Sequence, residues 1–303
     1  MTLRDSLLAL VIILVWGVNF VVIALGLDGM PPLLMGGLRF LLVAIIGCWF
    51  VARPKVPLSW VFGYALTLGF AQFAFLFTAM AVGMPAGLAS LVLQSQALFT
   101  LIFAFLILKE QVRAPQVLAI LVAGAGLALI GLSNNNGDMT VIGFTLTLVA
   151  ACSWAVGNLV TRSISQRGYK ADVNLVIWSA WVSCAPFFIL SYFIEGPDLI
   201  IQTLVNISWV SVASLSYLAL IATIIGYSLW SYLLSRYPAG QVAPLTLGVP
   251  VVGLASASVF LGEQISQLQL LGISIVMLGL VINMRLDKLL KKLLFSTRSA
   301  DAS

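Results

Sequence analysis

The stretch PAGLASLVLQSQALFTLIFAFLILKEQ, Pro85 to Gln111, decides the fold. From Gly87 to Leu108 it carries no charge, and about 20 apolar residues is the length an α-helix needs to cross a hydrocarbon core. A Pro-Ala-Gly joint opens the run and Lys109-Glu110 closes it. The same frame returns later in the chain. Pro238-Ala239-Gly240 repeats Pro85-Ala86-Gly87 and Glu263-Gln264 repeats Glu110-Gln111, each 153 residues further on. Gln116 with Gln269, Leu118 with Leu271, Gly126 with Gly279 and Tyr64 with Tyr217 keep that offset. Near the start of each half, Trp16-Gly17-Val18-Asn19 is echoed by Trp154-Ala155-Val156-Gly157-Asn158 at an offset of 138 to 139. A fixed period of this kind is the mark of an internal duplication.

Outward from this stretch, apolar runs of similar length recur at about Leu7–Leu27, Leu33–Val51, Val61–Val82, Val117–Leu132, Gly143–Val160, Leu175–Phe193, Trp209–Leu234, Val242–Leu261 and Leu270–Met284. With Gly87–Leu108 they make ten expected transmembrane helices. Short joints carry the breakers between them: Met30-Pro31-Pro32, Arg53-Pro54-Lys55-Val56-Pro57, Gly83-Met84-Pro85, Asn134 to Asp138, Glu195-Gly196-Pro197 and Tyr237-Pro238-Ala239-Gly240. No joint is long enough for a soluble domain. The chain of 303 residues is 61% hydrophobic and 8% charged, far from the balance of soluble domains. Continuous apolar runs, not short alternating segments, exclude a barrel. Arg4 ahead of the first run and Ala24-Leu25-Gly26 behind it suggest a signal peptide, but the run exceeds a usual h-region and its helix has a repeat partner. It is read as a helix that stays in place.

Cytoplasmic loops collect Lys and Arg. With ten spans and a cytoplasmic N-terminus, Arg4, Arg53, Lys55, Lys109, Arg113, Arg162, Arg167, Lys170 and Arg236 fall on one side, together with Arg285, Lys288, Lys291, Lys292 and Arg298 of the tail. Asp28, Asp138, Glu195, Asp198 and Glu263 fall on the other. The net charge of +5 is therefore a topology signal, directed at the lipid bilayer and not at nucleic acid. Five helices is an odd number, so the second copy must enter the membrane from the opposite face. The expectation is an all-α integral membrane protein with both termini cytoplasmic, in three parts. Residues 1–138 form the first five-helix repeat, 139–284 the inverted second repeat, and 285–303 a basic cytoplasmic tail. Inverted repeats are the structural basis of alternating access in many carriers, with the site near the bilayer midplane. A secondary transporter of a small polar solute is the function expected from them, with a purely structural or signalling bundle as the alternative.

Several segments resemble the EamA family of the drug/metabolite transporter superfamily: Trp16-Gly17-Val18-Asn19-Phe20, the run from Pro31-Pro32 to Leu38-Arg39-Phe40, Gly83 to Ser90, and the glutamates closing the fourth and ninth spans. The likeness covers nearly the whole chain and implies a helix basket in the cell inner membrane that opens to either side in turn. Val51 to Leu58, Gly69 to Phe77, Val242-Ala243-Pro244 and Val249 to Ser256 resemble family members that export cysteine-pathway metabolites. The likeness thus implies efflux of O-acetylserine and cysteine, with other amino acids or small metabolites as the alternative cargo.

Arg39 is the one charged side chain well inside a span, about 10 Å of helix rise beyond Pro32. It must face protein, water or an anion. It either offers its guanidinium to a substrate carboxylate or anchors its own helix by capping carbonyls or snorkelling. Trp16, Asn19 and Phe20 share one helix face, as do Trp154 and Asn158. The two asparagines meet either a substrate's polar groups or a neighbouring helix. Ser90 and Gln94 lie on one face of the fourth span and Gln96 and Thr100 on another, so one glutamine is expected to line a cavity and the other to pack. Thr223, Tyr227 and Trp230 form a polar and aromatic stripe suited to an amphipathic ligand or to simple packing. Pro250 with Gly248 should bend the ninth span and free carbonyls that need a compensating neighbour.

What the sequence lacks narrows the function. It has no His, and no Asp or Glu deep in a span, which disfavours hydrophobic cations as cargo and leaves proton coupling open. Glu110 and Glu263 sit at span ends, where loop anchoring competes with proton coupling. Ser90 and Ser95 have no His to activate them, so no catalytic cluster points to an intramembrane enzyme. The phosphate-loop pattern that would bind ATP is missing. Cys48, Cys152 and Cys184 lie in apolar spans without ligand spacing, so neither a metal nor another cofactor is expected.

Overall fold

The computed structural model describes the backbone of residues 1–133 and 139–300, with side chains described for 1–133, 139–238, 241–242 and 244–283. The joint at Asn134 to Asp138, Ala239 and Gly240 as side chains, and the tail's basic side chains from Arg285 onward lie outside the described residues. Among the described residues there is no strand. The helices, in chain order, are α1 Leu3–Leu27, α2 Pro32–Gly47, α3 Leu58–Ala81, α4 Ala86–Leu108, α5 Ala114–Leu132, α6 Val141–Gln166, α7 Val173–Glu195, α8 Pro197–Val205, α9 Trp209–Arg236, α10 Pro244–Leu261 and α11 Gln267–Ala300. Eight of them, α1, α3 to α7, α9 and α10, are long and apolar enough to cross a membrane. The chain is therefore a multi-pass membrane protein. The other two expected spans are shorter apolar helices, Pro32–Gly47 and the Gln267–Asn283 part of α11. At 16 residues, α2 rises about 24 Å, less than a full hydrocarbon core.

Helix α8 differs from the expectation, which left residues 197–208 as a connection. It starts because Gly196 adopts φ 87°, a conformation open to glycine, and Pro197 then occupies the first turn, where its missing N–H costs nothing. With nine residues it is too short to cross a membrane, and none of them is buried.

The long helices are not regular. α3 and α9 each contain a π-helical segment, Ala65–Ala71 and Tyr217–Ile225. α4 tightens to a 3-10 turn at Leu93–Ser95, and α10 begins through another at Ala243–Leu247. Shifting the first member of each pair by the 153-residue offset lands it on the second, to within a few residues. The irregularities are thus duplicated along with the sequence. Pro250 falls in the first turn of the regular part of α10, so the disturbance lies before it, in the 3-10 turn, and not at the proline itself.

The described residues form two compact units, Met1–Thr100 with Asn136–Gln264, and Leu101–Asn135 with Ile265–Ser303. In the first, small residues let α2 and α7 approach closely: a methyl group at Gly37 would lie 2.8 Å from the Phe188 ring, and one at Gly47 2.7 Å from Ile177 Cγ2. In the second, α5 and α11 touch backbone to backbone. A methyl at Gly126 would lie 2.7 Å from Val276 N, one at Gly279 2.6 Å from Ala123 Cβ, and one at Gly272 2.7 Å from Ile130 Cγ1. As the α5 number rises through 123, 126 and 130, its α11 partner falls through 279, 276 and 272, so the two helices run antiparallel. Close packing of small residues is how helices associate in a solvent as apolar as their side chains.

Candidate functional site

Arg39 is 2% exposed on α2. Its Nη2 donates to Thr223 Oγ1 at 3.0 Å. The guanidinium carbon lies 4.1 Å from the centroid of the Phe73 ring, with Phe40 and Phe77 at 5.5 and 5.9 Å. Nε and Nη1 are buried and have no hydrogen-bond partner. Among the described residues no carboxylate lies within ion-pair distance of it. A guanidinium has five N–H donors, and one neutral hydroxyl plus an aromatic face, worth about 2 kcal/mol when desolvated, is poor compensation for a buried charge. The group is held by one edge and one face, and the remaining donors suit a bidentate anion such as a carboxylate.

The π segment of α9 sets Thr223 in place. Thr223 Oγ1 donates to Leu218 O at 2.8 Å, five residues back, while accepting from Arg39. Trp16 Nε1 donates to Ala222 O in the same segment at 3.0 Å, and Tyr217 at its start donates to Val15 O at 2.9 Å. Trp16 also packs tilted on Tyr227 and Trp230, with centroids 5.3 and 5.5 Å away. The structure thus brings Arg39, Thr223, Tyr227, Trp230 and Trp16 into one connected set across α1, α2 and α9. Asn19, one turn along α1 from Trp16, is 8% exposed, and its Oδ1 is buried without a hydrogen-bond partner.

The remaining sequence-selected residues lie elsewhere. Asn158 donates to Gln96 Oε1 at 2.7 Å and to Thr100 Oγ1 at 3.1 Å, tying α6 to α4, with Trp154 half-buried one turn back along α6. Gln94 Nε2 donates to Thr246 O at 3.1 Å. Pro250, four residues after Thr246, has no N–H to offer that carbonyl, so Gln94 is the compensating neighbour. The two glutamines are both engaged in bonds between helices, to different partners. On α3, the π segment's carbonyls at Thr67 and Ala65 accept from Ser153 and Ser183 at 3.0 and 3.1 Å. Sequence reasoning missed these serines, and it missed Phe73 as the ring under Arg39. The segment Gly69 to Phe77, singled out for its family likeness, contained the signal for the second.

Carboxylates close the ends of helices. Glu263 accepts from Ala86 N and Gly87 N at 2.6 and 3.0 Å, capping α4, which is the anchoring role. Glu195 does the same for α2, accepting from Leu33 N and Leu34 N at 2.6 and 3.0 Å. An anion at a helix N-terminus satisfies orphan donors and the helix dipole together. Asp5, fully buried in the first turn of α1, accepts from Tyr237 Oη at 2.6 Å with Arg236 at 3.6 Å. Among the described residues no group of three or more His, Cys, Asp or Glu could hold a metal ion.

The model of the EamA-like transporter family matches residues 4–132 and again 141–285. A "Probable amino-acid metabolite efflux pump" of Salmonella typhimurium is 51% identical over 285 residues, covering 93% of this chain and 95% of that protein. A protein of the same description from Escherichia coli is 50% identical, with the same coverage. A solved crystal structure, 19% identical, superposes with a TM-score of 0.64 over 96% of this chain and 99% of its own, a likeness of fold alone.

Proposed function

The chain belongs to the EamA-like transporter family, and from that premise we propose that it exports small amino acids across the cytoplasmic membrane by alternating access, with cysteine-pathway metabolites such as O-acetylserine and cysteine as cargo. The cargo class is supported by the two relatives of about half identity, both described as amino-acid metabolite efflux pumps. The observation that carries the reading is Arg39, a fully buried guanidinium with two donors unpaired. A substrate carboxylate would accept from one of them together with the second N–H of Nη2, as an arginine fork allows, and would supply the counter-charge that no carboxylate among the described residues provides.

The transport cycle proposed here uses ten spans in two inverted repeats, with both termini cytoplasmic. One observation supports the duplication and another the inversion. The family model matches twice in succession. The contacts of α5 with α11 are reciprocal under the 153-residue offset, because Ala123 and Gly126 correspond to Val276 and Gly279, and Gly126 meets Val276 as Gly279 meets Ala123. Reciprocal contact is the property of a twofold axis, and an antiparallel pair related by such an axis has opposite orientation in the membrane. α2 completes the count if the bilayer thins or its flanks snorkel to meet it. Reporter fusions at Glu195 should read outside and at Arg167 inside, and a reversed signal at either would remove the inverted arrangement.

The test of the site is exchange in proteoliposomes. Arg39→Lys retains charge without the planar fork and should slow transport of acids; Arg39→Gln should slow it further. Wild-type rates for both a carboxylate and its amide in Arg39→Gln protein would reduce Arg39 to a helix anchor.

A further inference from the structure

Besides the two on Arg39, α1 carries an unpaired polar atom of the opposite kind, an acceptor. Asn19 Oδ1 is buried without a hydrogen-bond partner, the chemical complement of the unpaired Nε and Nη1 of Arg39. Helical spacing turns the two toward each other. Near the end of α1, a methyl at Gly26 would lie 2.8 Å from Met35 Cε on α2 and 3.1 Å from Ser214 Cβ on α9, so the Gly26 direction of α1 points between these two helices. Asn19 is two turns back on that same face, at i and i+7. Arg39 is one turn on from Met35 on the face of α2 that meets Gly26. Thr223, which holds Arg39, is on the α9 wall that Ser214 begins. α1 and α2 are joined by a short turn after Leu27, so steps away from Gly26 and Met35 carry both chains in the same direction. Seven residues on α1 are about 10 Å and four on α2 about 6 Å, and the long arginine side chain makes up the difference.

We propose that Asn19 Oδ1 accepts a hydrogen bond from the substrate's ammonium group, so that Arg39 and Asn19 together read the two ends of a zwitterion. The site then selects free α-amino acids and rejects their N-acylated forms, whose amide nitrogen is uncharged and carries one hydrogen. Trp16, one turn from Asn19 on the same face, lies on the ammonium's side of the site, where an aromatic ring favours a cation. The proposal rests on Arg39 as the carboxylate anchor, and the experiment separates the two.

Competition for exchange is measured in proteoliposomes with cysteine, N-acetylcysteine and cysteinamide, on wild type, Asn19→Leu and Asn19→Asp, each checked for monodispersity. Wild-type protein should prefer cysteine over N-acetylcysteine by about tenfold or more, the scale of a hydrogen bond to a charged group. Asn19→Leu should lose that preference while keeping the preference for cysteine over cysteinamide. Asn19→Asp, which keeps the acceptor, should retain the amine preference. If Asn19→Leu still discriminates against N-acetylcysteine, Asn19 is not the acceptor. If the acid-over-amide preference is absent in wild type, the Arg39 reading fails instead. For a variant that does not transport, the shift of its thermal midpoint by the same three compounds gives the same comparison, because a ligand stabilises the folded state it binds.

Discussion

The bond from Gln94 to Thr246 O can be tested against its cause. Pro250 cannot donate to the carbonyl four residues behind it, and Gln94 Nε2 does so at 3.1 Å from another helix. Bonds between helices in membranes average about 0.6 kcal/mol and reach about 1.7; one that stands in for the i+4 donor that Pro250 lacks belongs in the upper part of that range. Gln94→Leu, of similar volume, should therefore cost about 1 to 1.5 kcal/mol. Pro250→Ala restores the N–H and gives Thr246 O the i+4 donor of a regular helix. In that background Gln94→Leu should cost close to nothing, leaving a coupling of about 1 kcal/mol, well above the few tenths seen for independent sites. The assay is reversible unfolding of the four proteins in mixed detergent micelles, followed by tryptophan fluorescence. An equal cost of Gln94→Leu in both backgrounds would refute the compensation.

Three other substitutions follow from the same reasoning. Glu263→Gln keeps one acceptor for Ala86 N or Gly87 N and turns an NH2 group on the other; losing a charge-assisted bond at a helix start should cost about 1 to 3 kcal/mol, seen as a lower unfolding midpoint, and an unchanged midpoint would exclude the capping role. Gly126→Leu and Gly279→Leu each drive a side chain into the facing backbone, and overpacking costs about 1 to 3 kcal/mol. Because their contacts are reciprocal, the two should destabilise by the same amount within a factor of about two, and a large effect from only one of them would speak against a twofold relation of α5 and α11.

The apolar runs were legible because the bilayer sets a helix's length through composition alone; the helices start within a few residues of them, while α6 continues to Gln166 and α11 to Ala300, past the expected Val160 and Met284. Helix α8 was not, because nine residues beginning at a Gly-Pro joint carry the same breakers as a turn. The π and 3-10 segments were hidden for another reason: they depend on donors from other helices, such as Trp16 for Ala222 O and Ser183 for Ala65 O, and no local spacing encodes a partner more than a hundred residues away. Within the site, Arg39 stood out as a lone charge and the stripe from Thr223 to Trp230 by its period. That Thr223 bonds Arg39 depends on how α9 is turned against α2, and the π segment sets that turn. Asn158 and Asn19, matched by the repeat, have different surroundings: one is taken up by Gln96 and Thr100, the other leaves its acceptor open.

The central claim, a carrier for free amino acids, is tested most directly by counterflow. Wild-type protein in proteoliposomes, preloaded with unlabelled cysteine and diluted into a trace of labelled cysteine without ATP, should accumulate label transiently above equilibrium. Only a carrier that binds at one face and releases at the other, coupling the two fluxes through one site, gives that overshoot. Label that rises to equilibrium with no overshoot, or no faster than in protein-free vesicles, for every amino acid tried would contradict the account.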